Sequence, residues 1–424
     1  MAIYYARRVK FQNGERISVL QQVEGLPVHT ATLFLDGMRS RNLASATLHY
    51  ACMALAVFHQ EMDEAGIDVM HRLKQGLFLS RHELTRLVAA ARHPKSELGE
   101  EPNCSPQKVV SIHSVYPRKK KHVEEDISVG LKTAAGRLRY ISLYLEWCSS
   151  YVMPSLPREM QRELHRNTEV GLRSLRALIP RVSSRNTLGR RTGLSYEEQG
   201  RLERLVDPHS PENPWENEYV RYRNQVIVLT LLASGMRQGE LLGLRISDIH
   251  PQTGKIKILR RPDKEDDPRL REPNTKTLER EIAFDPSIIK LLNQYINVHR
   301  KGIKNAHKKP QVFISTHGHP LSGSSVEKLF QTLREALPNL SVILTSHVLR
   351  HTWNLRFSEY ADEMGTSSVE EERARAEQQG WSSYKTAEVY TRRHIERKGQ
   401  ELALGAQKKL HTKVRGDINA KPNN

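Results

Sequence analysis

SHVLRHTW, residues 346–353, is the stretch from which the rest of the chain can be read. His347 and Arg350 stand three apart, so on a helix they share one face near its N-terminus. Toward the C-terminus, GWSSYKTAEVY at 380–390 sets Trp381 nine residues before Tyr390. Toward the N-terminus, NTKTLEREI at 274–282 holds Lys276 at the edge of a predicted strand pair. Further back, SGMRQGELLGLRISDI at 234–249 carries Arg237 and Glu240. Taken singly, each residue has a plain reading. Arg237 could cap a helix, His347 and Arg350 could line an amphipathic surface, and Trp381 could be a core aromatic. Lys276 has Arg280 as a neighbour, and Tyr390 is one of 14 tyrosines. What informs is that the four segments occur together and in this order.

That order resembles the catalytic domain of the tyrosine recombinases, which include phage integrases and the Xer-type and Cre-type enzymes. The shared pattern is an arginine in a G-x-R-x-x-E-L-L-x-L segment, a lysine on a β-hairpin, H-x-x-R-H, and then G-H/W with a tyrosine nine residues later. Ser382, Ser383 and Thr386 also fit the family's S-S-x-x-T spacing. The resemblance spans about residues 194–391. It implies a site of Arg237, Lys276, His347, Arg350, Trp381 and Tyr390, with Glu240 in support, and DNA strand cleavage through a 3′-phosphotyrosine. Two departures stand out. Trp381 replaces the commoner histidine, a choice shared with Cre-type enzymes. The interval from His351 to Trp381 is longer than usual and contains Glu370, Glu371 and Glu372.

The chemistry of a phosphodiester suits these residue types. Attack by a tyrosine builds negative charge on the non-bridging oxygens, and two guanidinium forks match that charge while staying cationic at any relevant pH. Arg237 and Arg350 fill this place. A phenol has a pKa near ~10, so Tyr390 needs a proton acceptor, for which His347 is the candidate. The departing 5′ oxygen needs a proton, and Lys276 is the natural general acid. An indole can only donate a hydrogen bond, so Trp381 would orient a phosphate oxygen or pack on Tyr390, leaving proton transfer to His347. None of these residues implies a metal cluster, a P-loop or a nucleotide-binding loop. No cofactor is expected, because the phosphotyrosine would keep the bond energy for religation.

Composition points to the same partner. The 424 residues carry 66 Lys+Arg against 48 Asp+Glu, a formal charge of +18. Such a surplus favours a polyanion, nucleic acid before membrane. Three widely spaced cysteines argue for a reducing cytoplasm without a disulfide framework. The sequence has no run of about 18 apolar residues and no signal-peptide core, so a soluble, cytoplasmic protein is expected.

The fold class expected is mostly α with a small β-sheet, in two domains. Residues 1–24 read as a strand-like lead-in with an Asn-Gly turn at 13–14. A helical core-binding domain follows over 25–182. Within it Leu48, Ala51, Leu55, Phe58 and Met62 form one helical stripe, and Leu131, Ala134, Leu138, Ile141, Leu145 and Cys148 another. Ser80 and Glu83 have capping-box spacing at the start of a helix over 80–92. Residues 94–126 read as an extended basic loop. Arg118, Lys119, Lys120 and Lys121 there are candidate DNA contacts, as are Arg137 and Arg139 on the polar side of the 131–148 helix. Residues 158–191 hold nine arginines against three glutamates, enough to follow a phosphate backbone. The linker is placed at 183–193, a mixed α/β catalytic domain at 194–405, and a basic, flexible tail at 406–424. Strands are expected near 255–259 and 281–284, and helices near 220–234, 286–300, 324–336, 346–359 and 368–379.

By resemblance, such domains clamp duplex DNA, and family members act as homo-tetramers on two sites, sometimes with accessory DNA-bending or directionality proteins. Integration or excision of a mobile element is the expected role. A resolvase or topoisomerase-like enzyme is the alternative within the same chemistry, and an inactive DNA-binding protein the alternative outside it.

Overall fold

The computed structural model describes residues 3–23, 25–93, 129–181, 193–273, 275–383 and 398–410. Among the described residues the fold is mostly helical with two small sheets. The chain divides into two compact units, one of Met1–Thr187 with Asp263–Glu265 and one of Leu188–Pro262 with Asp266–Asn424.

In the first unit the expected lead-in is a complete antiparallel hairpin. Strand β1 (Tyr4–Lys10) pairs with β2 (Arg16–Gln22), from Tyr4 opposite Gln22 to Lys10 opposite Arg16. The turn needs Gly14, whose φ of +92° is strained for a residue with a Cβ. Among the described residues six α-helices follow: α1 (His29–Ser40), α2 (Ser45–Glu64), α3 (Val69–Lys74), α4 (Arg81–Ala90), α5 (Leu131–Val152) and α6 (Arg158–Leu178). The α2 stripe is buried as its spacing predicts, with Leu48, Ala51, Leu55, Phe58 and Met62 all in the core. Each large apolar side chain so placed contributes about 1.5–3 kcal/mol relative to exposure. Helix α4 begins with the capping box of Ser80 and Glu83.

One reading of α5 is corrected. Arg137 does not stand on its polar side. Its side chain is buried and donates to the carbonyls of Ala91 (3.0 Å) and His93 (2.6 Å), closing the end of α4. A guanidinium engaged in this way is a structural tie, not a surface contact for phosphate. Arg139 and Lys132 are exposed. The stripe on this helix is otherwise buried from Ala134 to Cys148, while Leu131 at its first residue is exposed. The basic run Arg118–Lys121 lies outside the described residues, as do residues 183–192 of the expected linker.

The arginine-rich stretch is itself a helix over most of its length. In α6, Leu164, Leu172 and Leu175 face the core. Arg158, Arg162, Arg166, Arg173 and Arg176 are all exposed. With about 3.6 residues per turn, these five lie within about 80° of one another around the axis.

The second unit begins with α7 (Tyr196–Val206) and the buried α8 (Glu218–Ser234), then the short α9 (Gln238–Gly243). Strands β3 (Ile249–His250), β4 (Lys255–Ile258) and β5 (Arg280–Ala283) make one antiparallel sheet in that order. Helix α10 (Pro286–Gln294) runs on into a π-helical turn at Tyr295–Arg300, and α11 (Gly323–Ala336), α12 (Ser346–Glu363) and α13 (Ser368–Gln379) complete it. The core gathers Val226, Ile227 and Leu231 of α8, Ile256 and Ile282 of the sheet, and Leu329 and Leu349. Residues 398–410 are helical and exposed. Among the described residues no helix is long and apolar enough to cross a membrane.

Candidate active site

The site is built around the end of α8. That helix stops at Gly235, whose φ is +60° and whose N–H donates to the carbonyl of Leu231. A Cβ here would also sit 2.9 Å from the ring of Trp353, so only glycine fits. The tight turn delivers Arg237 as the N-cap of α9, with its side chain 32% exposed. The backbone N–H of Arg237 donates to Glu240 Oε2 at 2.9 Å, and its Nη1 lies 3.5 Å from Glu240 Oε1.

Glu240 is the centre of the arrangement. Its carboxylate is fully buried and also receives Arg280 Nη2 at 2.8 Å and Thr277 Oγ1 at 2.6 Å. Burial by itself would raise the Glu240 pKa. The hydrogen bonds and charge of Arg280, then Thr277 and the Arg237 amide, outweigh it and hold the carboxyl below the usual glutamate range. Lys276 lies on the connection between β4 and β5, four residues before β5. Thr275 and Thr277 on either side are buried while Lys276 is exposed, so the lysine faces out where its neighbours face in.

Helix α12 brings the second arginine. Thr345 caps it, accepting from Val348 N at 3.2 Å, and Ser346 Oγ donates to Gln238 Oε1 at 3.1 Å. Arg350 is buried, and its Nη1 donates to the Gly235 carbonyl at 2.7 Å. Arg350 is thereby tied two residues from Arg237. His347 is exposed on the first turn, and its ring meets that of His351 edge-on at 4.3 Å between centroids.

Helix α13 supplies the fourth piece. It ends at Gly380, with φ +62°, and Trp381 N donates to Ala376 O at 2.9 Å. The turn is pinned from two sides. Leu278 N donates to Gly380 O at 2.9 Å, and Gln379 Nε2 donates to Ser234 O at 3.2 Å. Trp381 is buried, with Arg350 Cζ 5.6 Å from its ring centroid. The long interval before it is not loose. Arg375, wholly buried, pairs with Glu371, donates to Ser358 Oγ at 2.5 Å and to the Asn354 carbonyl at 3.0 Å, and sits over Phe357. These contacts bolt α13 to α12.

The structure thus brings together Arg237, Glu240, Arg350, Trp381 and the connection that carries Lys276, and it sets His347 at the start of the same helix as Arg350. Tyr390 lies outside the described residues, as does Thr386. Sequence reasoning missed Thr277, Arg280 and Arg375. The alternating burial of β5, which turns Arg280 and Ile282 inward, was the available signal for Arg280. Among the described residues, no group of three or more His, Cys, Asp or Glu could hold a metal ion.

Two guanidiniums, an exposed lysine on a pinned connection and a buried indole define a site shaped for an anionic reaction centre. Comparison with known proteins finds relatives for this part of the chain. Residues 209–397 match the phage integrase family. The chain is 29% identical over 169 residues to the tyrosine recombinase XerD of Halalkalibacterium halodurans, covering 40% of this chain and 49% of that protein. It is 28% identical over 172 residues to XerD of Staphylococcus haemolyticus, covering 40% and 50%. The match spans about half the length of these curated relatives. Among solved structures, the XerH site-specific recombinase bound to its difH substrate is 17% identical, with a TM-score of 0.49, over 86% of this chain and 82% of that one. Residues 209–397 of this chain are thus similar to the phage integrase family and to the tyrosine recombinases.

Proposed function

We propose that this protein is a site-specific DNA recombinase that cleaves and rejoins strands through a 3′-phosphotyrosine on Tyr390, serving integration or excision of a mobile element. The observation that carries the reading is the Glu240 hub. It joins the Arg237 turn to the Lys276 connection, while Gly235 O holds Arg350 and Arg350 lies against Trp381.

In this reading the Tyr390 phenol gives its proton to His347, and its oxygen attacks phosphorus. The bond from phosphorus to the 5′ oxygen breaks, and Lys276 supplies the proton that leaves with that oxygen as a 5′-hydroxyl. Arg237 and Arg350 meet the charge that grows on the non-bridging oxygens, and Trp381 orients one of them through its N–H. Religation runs the same steps backward with an incoming 5′-hydroxyl. The bond energy stays in the phosphotyrosine, so no cofactor enters.

The partner is double-stranded DNA, and the working assembly is a homo-tetramer on two sites, aided by accessory DNA-bending or directionality proteins. The cytoplasm is the compartment that fits this substrate. Of the surface arginines foreseen as DNA contacts, Arg139 remains a candidate by its exposure.

The test is a nicked suicide duplex that traps the covalent complex, read on a denaturing gel. Wild-type protein should yield a slow-migrating adduct. Tyr390→Phe loses only the attacking oxygen and should bind DNA normally with no adduct. A full adduct yield from that variant refutes the assignment of the nucleophile.

A further inference from the structure

Arg280 takes part in no step of the chemistry above, yet its guanidinium bonds to three separate residues around the site. Its side chain is only 3% exposed. Nη2 donates to Glu240 Oε2 at 2.8 Å, Nη1 to Thr277 Oγ1 at 3.0 Å and to Glu240 Oε1 at 3.4 Å, and Nε to the Gln378 carbonyl at 2.7 Å. Three parts of the site therefore meet on one guanidinium: the Arg237 turn through Glu240, the Lys276 connection through Thr277, and the end of α13 through Gln378. The fit extends to Gly380, where a Cβ would lie 2.9 Å from Arg280 Nη1 and 2.8 Å from the Leu278 carbonyl.

We propose that Arg280 is a positioning residue for acid catalysis, fixing the Lys276 connection so that the exposed ammonium is presented at the leaving oxygen. The proposal rests on the recombinase reading above. Its physical basis is the length and exposure of that connection. Residues 259–279 join two four-residue strands, and a lysine held only by its backbone would sample many positions. Thr277, the residue after Lys276, is clamped by both Arg280 and Glu240. A planar fork can grip a carboxylate with two nitrogens and still offer Nε to a third acceptor. An ammonium is a point donor and cannot span Glu240, Thr277 and Gln378 together. Arg280→Lys therefore keeps a positive charge beside Glu240 and loses the clamp.

The experiment compares covalent-adduct formation by wild type, Lys276→Ala and Arg280→Lys on two suicide duplexes. One has an ordinary phosphodiester. The other has sulfur as the bridging 5′ atom, a leaving group that needs no proton. Arg280→Lys should slow cleavage of ordinary DNA by about 10- to 100-fold, the scale on which misplacement by roughly 1 Å acts. On the sulfur substrate it should fall within about threefold of wild type, following the pattern of Lys276→Ala. Equal slowing on both substrates, or no slowing on either, overturns the proposal. If Arg280→Lys does not fold, as its melting curve would show, Thr277→Val removes the clamped hydroxyl while leaving the Arg280–Glu240 pair. It should show the same sulfur-selective recovery, and its absence there overturns the proposal equally. Failure of the recombinase reading looks different, because wild type itself would then give no adduct with either substrate.

Discussion

Removing charge from the outer face of α6 should change how DNA binding responds to salt. Arg158, Arg162, Arg166 and Arg173 are exposed and have no ion pair among the described residues, whereas Arg176 is engaged with Glu146 at 2.7 Å. From Arg158 to Arg173 the helix rises about 22 Å at about 1.5 Å per residue, most of one turn of duplex. Glu169 lies in the same stripe and offsets part of the field. Changing the four arginines to glutamine keeps good helix formers in place, so the helix should persist. If all four neutralise phosphates, the slope of log K against log salt should become shallower by about 3.6, at about 0.9 per contact. Between about 50 and about 200 mM salt, wild-type affinity should then fall roughly 100-fold more than that of the variant. Fluorescence anisotropy with a labelled duplex across a salt series measures both slopes, and a melting curve checks the fold. Slopes agreeing within about one unit would show that this face does not meet the DNA backbone.

Three further outcomes are expected. Glu371→Gln leaves the buried Arg375 charge without its carboxylate, at about 3–5 kcal/mol. The melting temperature should drop by roughly 6–20 °C, and a shift below about 2 °C in calorimetry would refute the bolt between α12 and α13. Trp381→His retains a donor and should keep appreciable adduct formation, whereas Trp381→Ala should lose about 100-fold, the lower range for one lost donor to a developing charge. Equal rates for wild type and Trp381→Ala would show the indole to be dispensable. Deleting residues from 399 onward removes a helix whose Leu402, Leu404 and Leu410 are all exposed. Single-site binding should survive while paired-site complexes weaken on native gels, and unchanged paired complexes would rule out docking of this helix on a neighbouring protomer.

The helices were legible wherever burial imposed a period on the sequence. The α2 stripe and the runs that form α10 and α11 show this, because each needs an apolar face against one core. Periodicity failed where the composition was dominated by charge. Helix α6, inside the expected helical domain, has only a thin line of leucines among its arginines, so its sequence shows charge more plainly than a helical period. Polarity does not mean exposure at Arg137, because a guanidinium can be buried when carbonyls at a helix end accept its hydrogen bonds. At the site, the residues that would touch substrate were visible in the four segments. Their supports were not. Thr277, Arg280 and Arg375 act across 37, 40 and 21 positions of chain, and no local pattern records such partners.

The Glu240 hub also bears on how this sequence can change over time. One carboxylate serves a turn, a connection and a strand that are remote in the chain, so substitutions at 240, 277 and 280 cannot be independent. A change at one position strands a buried charge or hydroxyl at another. Drift there must proceed by paired replacement or not at all, whereas the exposed side chain of Leu278 beside them is under no such restriction. In a set of relatives these three positions should covary as a block, and that signature could be sought without any enzyme assay.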